Sequence, residues 1–207
     1  MKKLVFILII FSASLITCAQ NTTIQKRNND VYKLSLQTIS LIGFLENEDS
    51  CKKAVFLLDS ATKLNNSCFL CYYNKAIFLN SLNQYNEAIT SIKHAIRIKP
   101  LSPDLYFNAG LLYEKINDSS SAREYFRKSL QTCESALDTM NINHPNYAIW
   151  QSYKAATLVL LGEQSKAYNQ FEKLYNSQSD EILKNRIKRI MNSSRVQVIK
   201  MFTIGSE

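Results

Sequence analysis

Small and apolar residues recur along the chain at a fixed interval. Ala54, Ala88 and Ala122 follow one another at intervals of 34 residues, and each precedes an apolar residue four positions on and a small residue seven positions on. Positions i, i+4 and i+7 lie on one face of an α-helix. The pattern therefore predicts three equivalent helices, each with a single apolar stripe. A fourth and looser copy centres on Ala167, 45 residues after Ala122.

A partner helix is predicted ahead of each of these. Small or apolar residues stand twelve and nine positions before the alanines, at Ile42, Leu45, Ala76, Leu79, Gly110, Tyr113, Ala155 and Leu158. Short polar turns separate the two helices of each copy, at Glu46–Ser50, Ser81–Asn86, Ile116–Ser120 and Gly162–Ser165. Small side chains at a helix crossing let two helices pack closely. We therefore expect pairs such as Ala76 and Ala88 to lie in the core.

Composition agrees with an all-α class. The 207 residues include only 4 Gly and 3 Pro, whereas sandwiches, barrels and doubly wound sheets use both residues in frequent tight turns. The same shortage argues against a glycine-rich phosphate loop.

The second and third copies resemble the tetratricopeptide repeat. The residues that carry the resemblance are Tyr72-Tyr73-Asn74, Gln84 to Ile89, His94 to Pro100, Tyr106 to Tyr113 and Ala122 to Phe126, and the period of 34 is that of the family. The resemblance implies an α-solenoid of about four helix-turn-helix repeats over residues 31–181, with a C-terminal capping helix. The chain departs from the family pattern because no copy has the Trp early in its first helix, and only the second has the closing proline, Pro100.

Two later segments add to the repeats. Ser119 to Met140 contains no Gly or Pro, which predicts a long second helix in the third copy that projects beyond the stack. Glu181 to Asn192 places apolar residues on one face and basic residues elsewhere, as a capping helix requires. Residues 182–207 form a basic cap and tail, whose charge fits a solvated face, an acidic partner or, less well for an exported chain, nucleic acid. We expect no nucleic-acid partner.

The first residues resemble an export signal. Lys2 and Lys3 precede an uncharged apolar run of 13 residues, Leu4 to Ile16, which is too short for a comfortable membrane span. Cleavage after Ala19 and lipidation of Cys18, in a sequence that resembles a bacterial lipobox, are both open, and a retained anchor is a third alternative. We therefore expect a signal at 1–19, a flexible linker at 20–30, and a periplasmic or lipid-anchored location in the bacterial envelope, with Cys18 as the only membrane attachment.

Candidate chemistry is sparse. Cys68 and Cys71 are the only cysteines at a chemically meaningful spacing, and three interpretations stay open: packed small hydrophobes, a local disulfide, or a redox or zinc site. His94 and His144 are the only histidines, and neither falls in a nucleophile–His–acid pattern. We expect a protein that is not an enzyme and has no cofactor and no metal.

The resemblance also implies a binding surface. First helices of the family line a concave groove that binds peptides, and the matching positions here are Ile39, Tyr73, Asn74, Ile77, Phe107, Asn108, Leu111, Tyr153 and Ala156. The predicted function is a non-catalytic module that binds an extended peptide or a helix of a protein partner in this groove. The alternatives are an assembly subunit that acts through the long third-repeat helix and, remotely, a CxxC redox or zinc protein.

Overall fold

The protein is a row of antiparallel helix pairs. A computed structural model describes residues 25–141, 144–177 and 181–202. Consecutive helices pack on one another from the second to the ninth, and the described residues contain no strand. The helices are α1 (25–39), α2 (Glu48–Leu64), α3 (Phe69–Ser81), α4 (Tyr85–Ile98), α5 (Pro103–Lys115), α6 (Ser119–Leu137), α7 (Tyr147–Leu161), α8 (Gln164–Ser177), α9 (Glu181–Met191) and α10 (Arg195–Phe202). This is the predicted all-α solenoid of about four helical repeats.

The recurring alanines form the helix crossings. Ala54, Ala88 and Ala122 are fully buried and Ala167 is 1% exposed, so the predicted orientation of this stripe is confirmed. Apolar residues four positions after the first three alanines are buried with them. Each second helix therefore turns its stripe toward its partner and leaves its polar face to solvent.

Gly110 marks the closest approach between α5 and α6. A Cβ atom at this position would stand 2.5 Å from Cε1 of Phe126, a contact that well-packed side chains do not make. The Phe126 ring is 1% exposed and has no room to move into solvent. Glycine at this position thus lets a full aromatic ring fill the space that a methyl group would take.

The turns repeat in register with the crossings. Asn83 and Asn117 have φ of 58° and 59°, and Gly162 has φ of 86°. Each stands five residues before its repeat alanine, and Asn and Gly are the residues that tolerate this left-handed backbone best. The tight reversal between paired helices is therefore fixed by residue type in the second, third and fourth repeats.

The first repeat departs from the pattern. α1 ends at residue 39, and Ile42–Phe44 forms a 3₁₀ helix, so Ile42 and Leu45, expected on the first helix, lie beyond it. The Asn47 side chain accepts from the backbone N–H of Ser50 at 2.8 Å and starts α2. No left-handed turn residue occupies this connection, and a longer, looser segment takes its place.

Three further predictions concern where segments of the chain begin and end. The linker expected over 20–30 is wrong for its second half, because residues 25–30 are helical and continue into α1. The long helix α6 spans 19 residues and ends at Leu137, three residues before the expected end. The signal at 1–19, with Cys18, and the tail from 203 onward lie outside the described residues.

α9 packs on α8, as expected of a capping helix, with Ile190 buried and Lys188 and Arg189 exposed. After Ser193 and Ser194 the chain turns back, and α10 packs on α7. Within the described ranges, no helix combines the length and the apolar character needed to cross a membrane.

We expect Gly110→Ala to lower the free energy of unfolding by about 1–3 kcal/mol, because the new methyl group overpacks a rigid crossing. Urea denaturation followed by circular dichroism measures the change. Gly43→Ala is the matched control, since a Cβ there meets nothing within 4 Å, and it should stay within about 0.5 kcal/mol of the parent. Equal effects at the two glycines would contradict the close α5–α6 approach.

Candidate functional site

Equivalent positions on the first helices differ sharply in exposure. Ile39, Tyr73 and Phe107 are successive copies of one position at 34-residue spacing. Ile39 is 49% exposed, Tyr73 is partly buried and Phe107 is fully buried. The first copy is not equivalent in the structure, because Ile39 ends α1 whereas Tyr73 and Phe107 lie near the starts of α3 and α5. The burial of Phe107 therefore shows only that the predicted groove is covered at α5.

The cover is α10. The Phe202 ring lies 5.0 Å from the Phe107 ring and 6.2 Å from the Tyr153 ring, between centroids. Val198, one helical turn earlier, is fully buried. The contact with Phe107 is edge-to-face and adds to the burial of apolar area, so α10 is held against α5 and α7 by a small aromatic cluster.

A charged pair fixes the start of α10. Nη2 of Arg195 lies 2.6 Å from Oε1 of Glu114, and Nε of Arg195 donates to the Leu160 carbonyl at 3.1 Å. The Glu114 side chain is only 13% exposed. Two donors of one guanidinium thus engage α5 and α7 at once, a charge-assisted and directional anchor.

The predicted asparagines are largely engaged within the chain. Nδ2 of Asn108 donates to the Asp104 carbonyl at 2.8 Å and to the Tyr73 hydroxyl at 3.5 Å. Asn74 is 7% exposed. Burial, and secondarily the charge of Asp104, raises the pKa of Tyr73 to about 12, against a smaller opposing effect of its bond with Asn108. Tyr73 is therefore neutral at physiological pH.

The other predicted groove residues differ in how far they are buried. Leu111 and Ala156 are buried and Tyr153 is partly buried. Ile77, also partly buried, borders a small cavity of about 40 Å³ together with Tyr73, Asn108, Leu111 and Phe202. The structure thus brings α3, α5 and the tip of α10 to one place in the groove, while the binding role of these residues stays a prediction.

Two exposed leucines stand at matching repeat positions on α1 and α3. Leu36 is 46% exposed and Leu70 is 53% exposed, and they are 34 residues apart, three positions before Ile39 and Tyr73. The repeat period could have identified both, and sequence reasoning missed them. It also missed Arg195, Val198 and Phe202, for which the sequence carries no comparable signal.

The paired cysteines are joined in a disulfide at the start of α3. Cys68 and Cys71 have Cα atoms 5.3 Å apart, and Cys71 is fully buried. The remaining described cysteines, Cys51 and Cys133, are buried thiols. Burial raises the pKa of both, that of Cys133 to about 12. Both are therefore poor nucleophiles at neutral pH.

The histidines show no catalytic arrangement. The His94 ring stacks on Tyr72 with centroids 4.8 Å apart, and Nη2 of Arg97 lies 2.7 Å from Nδ1 of His94. Burial, together with the positive charges of Arg97 and Lys75, lowers the pKa of His94. Among the residues that the structure describes, no three His, Cys, Asp or Glu side chains are grouped to hold a metal ion.

We expect Cys133 to resist alkylation by iodoacetamide at pH 8 in the folded protein, because the buried thiol is protonated there, and to react at once in guanidinium. Mass spectrometry of the labelled peptide measures this. Ser135→Cys, at an exposed position of the same helix, is the control and should label in the native state. Labelling of native Cys133 at the rate of that control would contradict the burial.

Known repeats and structures match this geometry. A family model described as TPR repeat matches residues 78–117, and another described as Tetratricopeptide repeat matches residues 103–135. No curated protein sequence matches the chain. Two solved structures of MamA are similar, one with a TM-score of 0.51 at 16% identity over 82% of this chain and 86% of that one. The other, MamA from Desulfovibrio magneticus RS-1, has a TM-score of 0.50 at 19% identity over 80% and 79%.

A structure of PilW, described as a widely conserved type IV pilus biogenesis factor, has a TM-score of 0.50 at 18% identity over 81% of this chain and 73% of that one. At these identities the structural likeness shows the fold. The matched repeats fall on α3 to α6, where the alanine crossings and the left-handed asparagine turns recur. Residues 78–135 of this chain therefore match tetratricopeptide repeats, and the structural likeness extends the helical repeat fold to the rest of the stack.

Proposed function

We propose that this protein interaction module binds an apolar segment of a protein partner, as an extended peptide or a helix, in the concave groove. The observation that carries the proposal is the set of exposed apolar side chains Leu36, Ile39 and Leu70 on the predicted first helices of two repeats. Contiguous exposed apolar side chains mark interaction sites more often than chance surface. The uncharged Tyr73–Asn108 pair beside them supplies polar contacts at low desolvation cost.

A photo-reactive amino acid at Leu70 tests this in cells that express the protein. We expect it to cross-link a discrete protein partner, because Leu70 is exposed on the first-helix side. The same amino acid at Phe56, 70% exposed and opposite the buried stripe of α2, is the control and should not capture that partner. Mass spectrometry identifies the adduct. Equal capture at both positions, or none at Leu70, would count against the groove.

A second candidate function is supported by the far end of α6. A cleft of about 660 Å³ lies there, lined in part by Met140, Trp150 and Leu101, whose side chain is 80% exposed. An assembly subunit that acts through this helix would use that cleft. The photo-reactive amino acid at Leu101 distinguishes the two functions, because it would capture the partner in place of Leu70.

We also propose that the protein is exported to the cell envelope. The support is the short apolar run behind Lys2 and Lys3. We expect the intact mass of the native protein to lack the first residues, either beginning at Gln20 or beginning at a lipid-modified Cys18 in the membrane fraction. A native protein that keeps Lys2 and Lys3 would contradict processing by either route.

A further inference from the structure

We infer that α10 can be displaced from the groove, and that the partner is a helix of the same chemistry that binds in its place. Such a helix carries a cationic residue followed by apolar residues three and seven positions later. The inference rests on the proposed function and names the chemistry of its ligand. It comes from the three contacts that hold α10 in place.

Those contacts share one face of α10. Arg195, Val198 and Phe202 stand at i, i+3 and i+7, so they point in one direction from the helix. Arg195 pairs with Glu114, Val198 is fully buried and Phe202 meets Phe107. The site that α10 occupies, which we call the seat, thus offers the Glu114 carboxylate, an apolar surface under Val198 and the Phe107 ring in fixed order. This is a recognition pattern for an amphipathic helix.

The seat selects for a cation. The Glu114 carboxylate is mostly shielded from water and pairs with Arg195. Removing that cation without a substitute would leave a poorly solvated charge, which is costly. A competitor that enters with its own Arg or Lys satisfies the carboxylate, and a purely apolar competitor does not.

α10 is poorly suited to hold the seat permanently. It has 8 residues, a length at which an isolated helix is not stable in water. It joins α9 through the non-helical residues Ser193 and Ser194, and its outer side is open to solvent, with Val196 61% exposed. Short elements with few buried contacts open locally at low free-energy cost.

A longer helix could bury more than α10 does. Eight residues span about 12 Å, whereas a helix of 20 residues spans about 30 Å and would cross three neighbouring helices at their usual spacing of about 10 Å. It could then reach the exposed Leu70 on α3 as well as the seat on α5 and α7. The added apolar contact offsets the advantage that the tether gives to α10.

The probe for the experiment is a fluorescent synthetic peptide with the sequence of residues 193–207. In the native chain it competes with a tethered copy whose effective concentration is in the millimolar range, so we expect weak binding by fluorescence anisotropy. The chain with Arg195→Ala and Phe202→Ala should bind the peptide at least about tenfold more tightly, because its own α10 has lost the ion pair and the aromatic contact.

Val196→Ala is the matched control on the exposed side of α10, and it should leave peptide affinity unchanged. Reversing the charges at positions 114 and 195 then tests whether the peptide binds where α10 binds. Glu114→Arg, added to the Arg195→Ala/Phe202→Ala chain, should abolish binding of the peptide, and a peptide with Arg195→Glu should restore it. Circular dichroism verifies that each variant keeps its helices, and the single Arg195→Ala chain serves as a milder variant if the double one unfolds.

Equal peptide affinity in the native and weakened chains overturns the inference, as does binding that ignores the charge at position 114. These outcomes are separate from those of the cross-linking experiment. If a partner is captured at Leu70 but the weakened chain does not bind the peptide more tightly, only the inference about α10 is wrong. If the weakened chain binds the peptide more tightly but no partner is captured, the proposed function is wrong and the inference about α10 stands.

Discussion

The close approach of paired helices is the constraint on which the rest of the structure depends. Two helices can pack at short distance only where one of them carries a small residue at the crossing, and this chain supplies Ala88, Ala122 or Ala167 there. At α5 and α6 the need is strongest, because the Phe126 ring occupies the space over Gly110. A one-residue shift of either helix would replace these contacts with a clash or a void. The crossings therefore fix the register of each pair, and the register fixes which side chains reach the concave side.

A stack of pairs leaves two open ends, and the chain treats them differently. At the C-terminal end α9 covers the last pair with one face and presents Lys188 and Arg189 to solvent. At the N-terminal end α1 keeps exposed apolar side chains, among them Leu36 and Ile39. Capping repeats usually carry a polar outer face, so the apolar character of α1 is a departure.

Sequence could predict what the repeat period determines. The starts of α4 and α6, the buried alanines and the equivalence of Tyr73 with Phe107 all follow from one spacing and from helix geometry. The left-handed turns at Asn83 and Asn117 follow the same spacing, so the sequence could have predicted them as well. The connection between α1 and α2 could not be predicted in this way, because it contains a 3₁₀ segment and no left-handed turn residue.

Contacts between distant parts of the chain lay beyond that reasoning. Arg195 and Glu114 are 81 residues apart, and neither has a pattern that names the other. Residues 195–207 are interpreted equally well as a helix extension or a frayed tail, because so short a segment carries too little periodicity to decide. The exposure of Phe107 could not be predicted either, since it depends on whether α10 covers it. Candidate groove residues were therefore placed on the correct helices, but their accessibility was left to tertiary structure.

The sign of the charge at the seat is informative because it opposes the sign of the whole chain. The protein carries a formal charge of +8, which at long range repels a basic segment. At physiological ionic strength this repulsion fades over about 8 Å, whereas the Arg195–Glu114 contact acts at 2.6 Å on a carboxylate that is mostly shielded from water. A basic helix is thus slowed on approach and held once seated. The tethered α10 avoids the approach altogether, and any partner that displaces it must gain through contact area and fit what it loses in encounter rate.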